Sequence, residues 1–273
     1  MDYEALNGPK MTEVQIEAYL RRIGLNGPVS LDLAGLSRLQ LAHLCTVPFE
    51  NLDILAGRPL SLDHEALYDK IVRRGQGGVC AELNTAYNWL LYSLGFSVTS
   101  YNSRVAYPKP IQFRRHRVIG VELDGRTWIT DVGTNLEYSR KPLLLETDTV
   151  QSDGLAEYRY VTHDFFGYLQ EQRKPGEDQW MPQIGFTLEP QIDLDYETPL
   201  FYYEKHPGSN MSQFLRVSLY RPDGLLAIRD HTLLEEKGGL VVSARPIGDW
   251  EEEKTLIRTL FRLSTEGLEG ERR

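Results

Sequence analysis

Cysteine is scarce in this chain: 273 residues carry only Cys45 and Cys80. Two thiols build no disulfide framework, and such usage fits a reducing cytoplasm. Six scattered histidines and the lack of any C-x-x-C pair or H-E-x-x-H run leave no zinc spacing, so no metal is expected. Long apolar runs are missing as well. No stretch of 18 apolar residues is present, so no transmembrane helix is expected, and Met1-Asp2-Tyr3-Glu4 lacks the basic and apolar regions of a secretory signal. Gly75-Gln76-Gly77-Gly78 lacks the Gly-Lys-Ser/Thr ending of a phosphate loop, which excludes that mode of nucleotide binding. Positive charge is also short, with 30 Lys and Arg against 39 Asp and Glu, a formal net charge of −9. That balance argues against a nucleic-acid partner. Arg114, Arg115 and Arg117 form a local basic patch, read either as a solvated strand edge or as a guide for an anionic substrate. Hydrophobic content of 41% and charged content of 25% are ordinary for a globular protein. The length allows one large domain or two to three small ones.

Hydrophobic periodicity divides the chain. Thr12 and Gln15 form a capping box ahead of a stripe of Ile16, Tyr19, Leu20 and Ile23. Further helices are expected over Leu36 to Thr46, His64 to Arg74 and Cys80 to Leu94, the last ending at Gly95. Beyond Gly95 the pattern becomes strand-like: Ser97 to Ala106, His116 to Leu123, Arg126 to Val132, Tyr158 to Thr162 and Ile184 to Leu188. Glu189 to Pro199 reads as a connector. Gln213 to Tyr220 and Leu225 to Arg229 flank a hairpin turn at Pro222-Asp223-Gly224, and Gly239 to Ala244 is a further strand candidate. Asp249 caps a final amphipathic helix, after which Glu266 to Arg273 reads as a frayed tail. Helices followed by strands and a mixed segment indicate an α+β protein. No internal repeat is visible.

The most informative stretch is Gly77-Gly78-Val79-Cys80-Ala81-Glu82-Leu83-Asn84. Leu83, Ala86, Tyr87, Leu90 and Leu94 follow Cys80 at helical spacing, which sets the thiol at a helix N-terminus. Unpaired backbone N–H groups and the positive end of the helix dipole there favour the nucleophilic thiolate. A lone cysteine is more often a packed core residue, and Cys45, on one helical face with Leu41, reads that way. Cys80 is distinguished by its glycine pair and by two further residues.

Those residues are His116 and Asp131. Asp124-Gly125 signals a two-residue hairpin loop, so Leu123 faces Arg126, and counting outward pairs Val118 with Asp131 and His116 with Gly133. His116 and Val118 share a face because side chains alternate, and Asp131 lies on that face too. The two become diagonal neighbours within reach of a carboxylate–imidazole hydrogen bond. Such a bond fixes the imidazole tautomer and leaves the other nitrogen to accept a proton from a thiol. Nucleophile, base and orienting acid are then Cys80, His116 and Asp131.

With these residues in place the chain resembles the arylamine N-acetyltransferases. The resemblance rests on Tyr19-Leu20-Arg21-Arg22-Ile23-Gly24, on Val47-Pro48-Phe49-Glu50-Asn51-Leu52, on Gly77 to Asn84, on His116 at the head of a strand and on Asp131-Val132-Gly133. Weaker similarity continues through Asp195-Tyr196-Glu197 to His206-Pro207-Gly208-Ser209. The resemblance implies a cysteine-proteinase-like core with a helical bundle over residues 1–95 carrying Cys80, an antiparallel β-barrel over 96–199 carrying His116 and Asp131, and an α/β lid over 200–273. It also implies the Cys80-His116-Asp131 triad, acetyl-CoA or another acyl-CoA as co-substrate, an arylamine acceptor, and cofactor contacts at Gly133, Thr134 and Ser209. Three departures bear on substrates. Gln76 replaces the usual arginine, Thr134-Asn135 replaces an aromatic residue and a glycine, and Glu204-Lys205 replaces a Ser-Thr pair near the cofactor. Asn135 is expected to keep the loop's left-handed backbone, and Glu204 to repel a pyrophosphate.

The expected chemistry is ping-pong acyl transfer through an acyl-cysteine. An amide synthase drawing a bulky acyl chain from an acyl carrier protein remains an alternative. So do a cysteine hydrolase or thioesterase with the same triad, and a non-catalytic binding module.

Overall fold

The computed structural model describes residues 6–106, 112–135 and 138–268. Helix α1 spans Glu13–Arg22, with Thr12 and Gln15 making the expected reciprocal capping box. Helix α2, Leu33–Leu44, starts three residues earlier than the periodicity implied, because Asp32 accepts a hydrogen bond from Gly35 N at 2.8 Å and caps it. A two-residue strand β1, Phe49–Glu50, leads into the short helix α3, Leu52–Leu55. The expected third helix is present in two parts, α4 over His64–Tyr68 and a π-helical turn over Asp69–Arg73. Helix α5 covers Cys80–Leu94 and closes on Gly95 at φ 110°.

The central sheet contains β2 Ser97–Val105, β3 His116–Leu123, β4 Arg126–Thr130, β5 Leu143–Leu144, β6 Gln151–Ser152, β7 Glu157–His163, β8 Gly167–Arg173 and β9 Met181–Gln191. Its spatial order is β5-β4-β3-β2-β9-β8-β7-β6, every neighbour antiparallel, and it curls into a nearly closed barrel. The Gln151 side chain bridges the two edges, accepting from Leu144 N and donating to Leu144 O at 2.8 Å each. A side-chain amide thereby satisfies backbone groups that an open edge would leave bare. Tyr158, Tyr160, Ile184 and Phe186 fill one interior cluster.

The supposed connector after Gln191 is structured: a 3₁₀ turn over Asp193–Tyr196 runs into α6, Glu197–Lys205. Pro199 sits in the first turn of α6, where its missing N–H breaks no helical bond. Then come α7 Asn210–Gln213 and a second antiparallel sheet, β10 Arg216–Arg221, β11 Gly224–Arg229, β12 Thr232–Lys237 and β13 Leu240–Pro246. Strand β1, more than 150 residues upstream, is the outer neighbour of β10, with Phe49 opposite Ser218. Helix α8, Trp250–Leu260, is capped by Asp249 and packs Ile257 and Phe261 on Val217, Leu226 and Ile228. The tail is less free than the sequence suggested. Leu268 is buried in that same cluster, while residues 269–273 lie outside the described residues. The α+β architecture expected from the sequence is the one observed. No described helix is long and apolar enough to cross a membrane.

Candidate active site

Two of the sequence motifs prove to be one structural unit. Glu50 N donates to Gly78 O at 3.0 Å, and Gly78 pairs with Phe49 as a parallel bridge. The glycines are needed for this approach rather than for a tight turn. A Cβ on Gly77 would stand 2.0 Å from Pro48 O, inside any permissible contact. Behind the bridge, Lys70 is buried among carboxylates: Asp53 at 2.7 Å, Glu82 at 2.9 Å and Glu50 at 3.9 Å. Burial pushes Glu50 and Glu82 above the usual carboxylate range, and Lys70 restrains the rise. For Lys70, burial disfavours the charge, but the three acids outweigh it and drive the ammonium further up. Glu82 Oε2 also accepts from Val79 N at 3.1 Å, which fixes the first turn of α5. The cluster thus locks the residue before Cys80 to the strand that edges the second sheet. Arg22 completes the support by donating to the carbonyls of Thr46, Ile71 and Gly75.

Cys80 opens α5. Leu83 N is the first amide to join the helical ladder, bonding to Val79 O, so the amides of Cys80, Ala81 and Glu82 precede it. The hairpin register runs as counted from Leu123↔Arg126 to Ile119↔Thr130, where the ladder ends. Beyond it Asp131 still meets His116: Nε2 lies 2.5 Å from Asp131 Oδ2. The other imidazole nitrogen, Nδ1, is not engaged by Asp131; the Cys80 sulfur and the imidazole line the same cavity, and the sulfur points to Arg115 O at 3.9 Å. Burial disfavours the imidazolium, but Asp131 and Cys80 overcome it, and the ring is pushed up to about 10. The sulfur also lies 3.7 Å from the Tyr203 hydroxyl, which donates to Arg115 O at 3.2 Å. Burial, reinforced by the Cys80 charge, raises the Tyr203 phenol well above its ordinary value, so it stays protonated.

Asn84 is the residue that sequence reasoning missed. Its Nδ2 donates to Asp131 Oδ1 at 2.8 Å and to Arg117 O at 2.7 Å, while its Oδ1 accepts from Val132 N at 2.9 Å. Gly133 N supplies the other bond to Asp131 Oδ1, at 2.9 Å. One fully buried amide therefore ties helix α5 to both strands of the hairpin. The signal was available: Asn84 is four residues beyond Cys80, on the same helical face.

A cavity of about 450 Å³ opens onto the sulfur and the imidazole, walled by Phe49, Tyr138 and Tyr203 among others. Gly133 and Thr134 line it. A Cβ on Gly133 would lie 2.6 Å from Cys80 O, so glycine is required for the loop to close on the helix tip. Thr134 directs its hydroxyl to Tyr220 OH at 2.7 Å. The aromatic surface missing at position 134 is supplied by Tyr138, whose ring centre is 6.3 Å from that of His116. Asn135 also lines the cavity but does not take the left-handed backbone expected of it. Ser209 lies elsewhere: it is buried, donates to Tyr203 O at 3.0 Å and caps α7, and the cavity wall here is Asn210 and Met211.

Glu204 is likewise removed from this wall. Its carboxylate accepts from Leu60 N at 2.7 Å and lines a different depression, with Asp193 and Phe201. Gln76 reaches Ser264 N at 3.2 Å. The Arg114-Arg115-Arg117 patch dissolves into separate roles. Arg117 is buried and bonded to Ser100, Thr85 and Asp193, Arg114 reaches Thr187, and Arg115 alone lines the cavity. Cys45 packs half-buried against the main core, and burial pushes its thiol up to about 11. Among the described residues no group of three His, Cys, Asp or Glu side chains could hold a metal ion.

A family model described as N-acetyltransferase matches residues 32–269. An arylamine N-acetyltransferase of Mycolicibacterium smegmatis is 34% identical over 234 residues, covering 83% of this chain and 84% of that protein. Among solved structures, the arylamine N-acetyltransferase from Salmonella typhimurium superposes with a TM-score of 0.86 at 28% identity, covering 95% of this chain and 93% of that one. The Mycobacterium marinum arylamine N-acetyltransferase in complex with CoA gives a TM-score of 0.85 at 27% identity, covering 93% and 95%.

Proposed function

Because this chain belongs to the arylamine N-acetyltransferase family, we propose that it passes an acetyl group from acetyl-CoA to an arylamine by way of an acyl-cysteine at Cys80. The observation that supports this reading is that Cys80 and His116 line one cavity while Asp131 holds the imidazole from behind through His116 Nε2. His116 takes the thiol proton, and the sulfur attacks the thioester carbonyl to form a new carbon–sulfur bond. Collapse of the tetrahedral adduct breaks the bond to the coenzyme A sulfur, which leaves with the proton from the imidazolium. The arylamine nitrogen then attacks the acyl-cysteine, gives a proton to His116 and expels the Cys80 sulfur, leaving an amide.

One thioester replaces another in the first half, so the protein's contribution is position and a charged nucleophile. The free amides at the start of α5 are the oxyanion donors, each worth roughly 3 kcal/mol when aimed at the developing charge. Asp131 holds the imidazole tautomer, and Gly133 and Thr134 form the wall against the thioester. The donor is argued to be a coenzyme A thioester because a structural relative is in complex with CoA. A carrier-protein donor draws no comparable support.

The test is intact-mass spectrometry after mixing with acetyl-CoA. Wild type gains one acetyl group, Cys80→Ala gains none, and added arylamine discharges the adduct as the N-acetyl product. Failure to label Cys80 would defeat the reading. Free acetate released at one rate with and without arylamine would replace transfer by hydrolysis.

A further inference from the structure

Another cavity, of about 550 Å³, reaches Gly75 on the approach to Cys80 and shares no lining residue with the cavity at the sulfur. It opens between the end of α1, the turn after α2, strand β10 and the end of α8. Arg21, Arg22 and Arg262 line it, and no described carboxylate does. In a chain with 39 acidic against 30 basic residues, such a concentration of positive charge runs against the composition. Arg21 meets Glu17 at 3.6 Å, an exposed pair of the weak kind. Arg22 donates once from each of its three nitrogens to a carbonyl, which leaves a further N–H on each terminal nitrogen. Burial disfavours its charge, and no ion pair with a described residue offsets that. Arg262 is the most telling of the three. It takes a left-handed backbone, φ 58°, just past the residue that caps the end of α8, where glycine sits without steric penalty. Its exposed side chain makes no ion pair or hydrogen bond with a described residue. The last turn of a helix favours cations, which accounts for Arg21 and Arg22. No contact among the described residues offsets the strain at Arg262.

We propose that this cavity binds a small phosphate-bearing molecule, held by Arg21, Arg22 and Arg262 and separate from the acyl donor. Three guanidinium groups call for more than one negative charge, which a phosphate supplies and a single carboxylate does not. Each planar fork can pair two N–H groups with two phosphate oxygens. Leu219 and Phe261 make part of the wall apolar, so the organic body of a phosphate ester can lie against them. The volume is in the range of small-ligand sites. Cys45 lines the same cavity half-buried, so its thiol reports on whether the cavity is filled. Nothing in this site depends on acyl transfer at Cys80.

Two readouts test the site, with pyrophosphate as the probe. In the wild-type protein, millimolar pyrophosphate should raise the melting temperature by more than sodium chloride of equal ionic strength. In Cys80→Ala protein Cys45 is the only thiol left, and pyrophosphate should slow its alkylation by uncharged N-ethylmaleimide several-fold. Removing one arginine should weaken pyrophosphate binding on the order of 10- to 100-fold, the scale of one or two charge-assisted hydrogen bonds. Arg262→Gly is the decisive variant, because glycine relieves the left-handed backbone. Without the probe it should melt no lower than wild type, and with the probe it should lose both effects. Arg21→Gln, which alters no strained residue, should weaken both as well. Absence of both effects in the unsubstituted site overturns the proposal, and so does sodium chloride matching pyrophosphate. Responses unchanged by Arg262→Gly and Arg21→Gln would place the anion elsewhere and overturn it too. Coenzyme A giving the same Arg262-dependent protection of Cys45 would assign the phosphates to the acyl donor and end the claim of a separate site. Neither readout requires Cys80 to accept an acetyl group, so this site and the acyl-transfer reading fail independently.

Discussion

Replacing Gly133 by alanine should disable acylation without unfolding the protein. The added Cβ would stand 2.6 Å from Cys80 O, 2.7 Å from Asn84 Nδ2 and 2.8 Å from Cys80 Cα. Reaching an ordinary contact requires a retreat of about 0.8 Å. Helix α5 cannot give way, because its first turn is fixed by Glu82 and Lys70, so the loop carrying Asp131 and Thr134 must move. Gly133 N also donates to Asp131 Oδ1, and the same retreat lengthens that bond beyond useful range. Overpacking of this kind costs about 1–3 kcal/mol, which at roughly 2–4 °C per kcal/mol lowers the melting temperature by several degrees. The effect on chemistry is larger. Misplacing reacting groups by about 1 Å costs on the order of 10²-fold. Single-turnover acetylation of Cys80, followed by quenched intact-mass measurement, should slow by that order while the protein stays folded by circular dichroism. Wild-type acylation in Gly133→Ala would refute the claim that this loop and the helix tip are held in van der Waals contact.

Lys70→Met leaves Glu50, Asp53 and Glu82 buried around an uncharged side chain, and denaturant unfolding should show a loss of about 3–5 kcal/mol; a loss under 1 kcal/mol would mean the acids are solvated or protonated at no cost. His116 is pushed up to about 10, well above the roughly 6.5 of an unfolded histidine. Its contribution to stability is therefore complete below about pH 6.5 and disappears as pH rises through about 10. Ring-proton resonances of His116 should stay fixed from pH 6 to 9 and move only near 10. Titration at an ordinary 6.5 would disprove the buried pairing with Asp131, and Cys80→Ala should shift the midpoint downward.

Much of the site was legible because it depends on short-range rules. A two-residue turn at Asp124-Gly125 and a period of two were enough to bring His116 to Asp131, and a glycine pair before a helical stripe located Cys80. What stayed hidden depends on packing between distant segments. Strand β8 carries Gln170 and Gln172 on its inward face, where Tyr160 OH donates to Gln170 and Gln172 donates to Tyr158 OH. Polar side chains in the barrel interior invert the alternation that reveals a strand, so β8 went unread. The Pro-Phe-Glu and Gly-Gly motifs were visible separately, but nothing in either states that a backbone bridge joins them. Arg114, Arg115 and Arg117 looked like one patch because neighbours in a chain share a charge, whereas the fold sends their side chains to three environments.

Strand β1 has a consequence for how the molecule is made. Asn51, beside it, donates to Met211 O and Phe214 O and accepts from Arg216 N, while Phe49 pairs with Ser218. A nascent chain on the ribosome therefore cannot finish the surroundings of its nucleophile until the segment around Ser218 has emerged, long after Cys80 itself has left the exit tunnel. Products of premature termination before that point would expose an unpaired edge and an unfinished thiol pocket, which makes them targets for chaperones and proteases rather than partial enzymes.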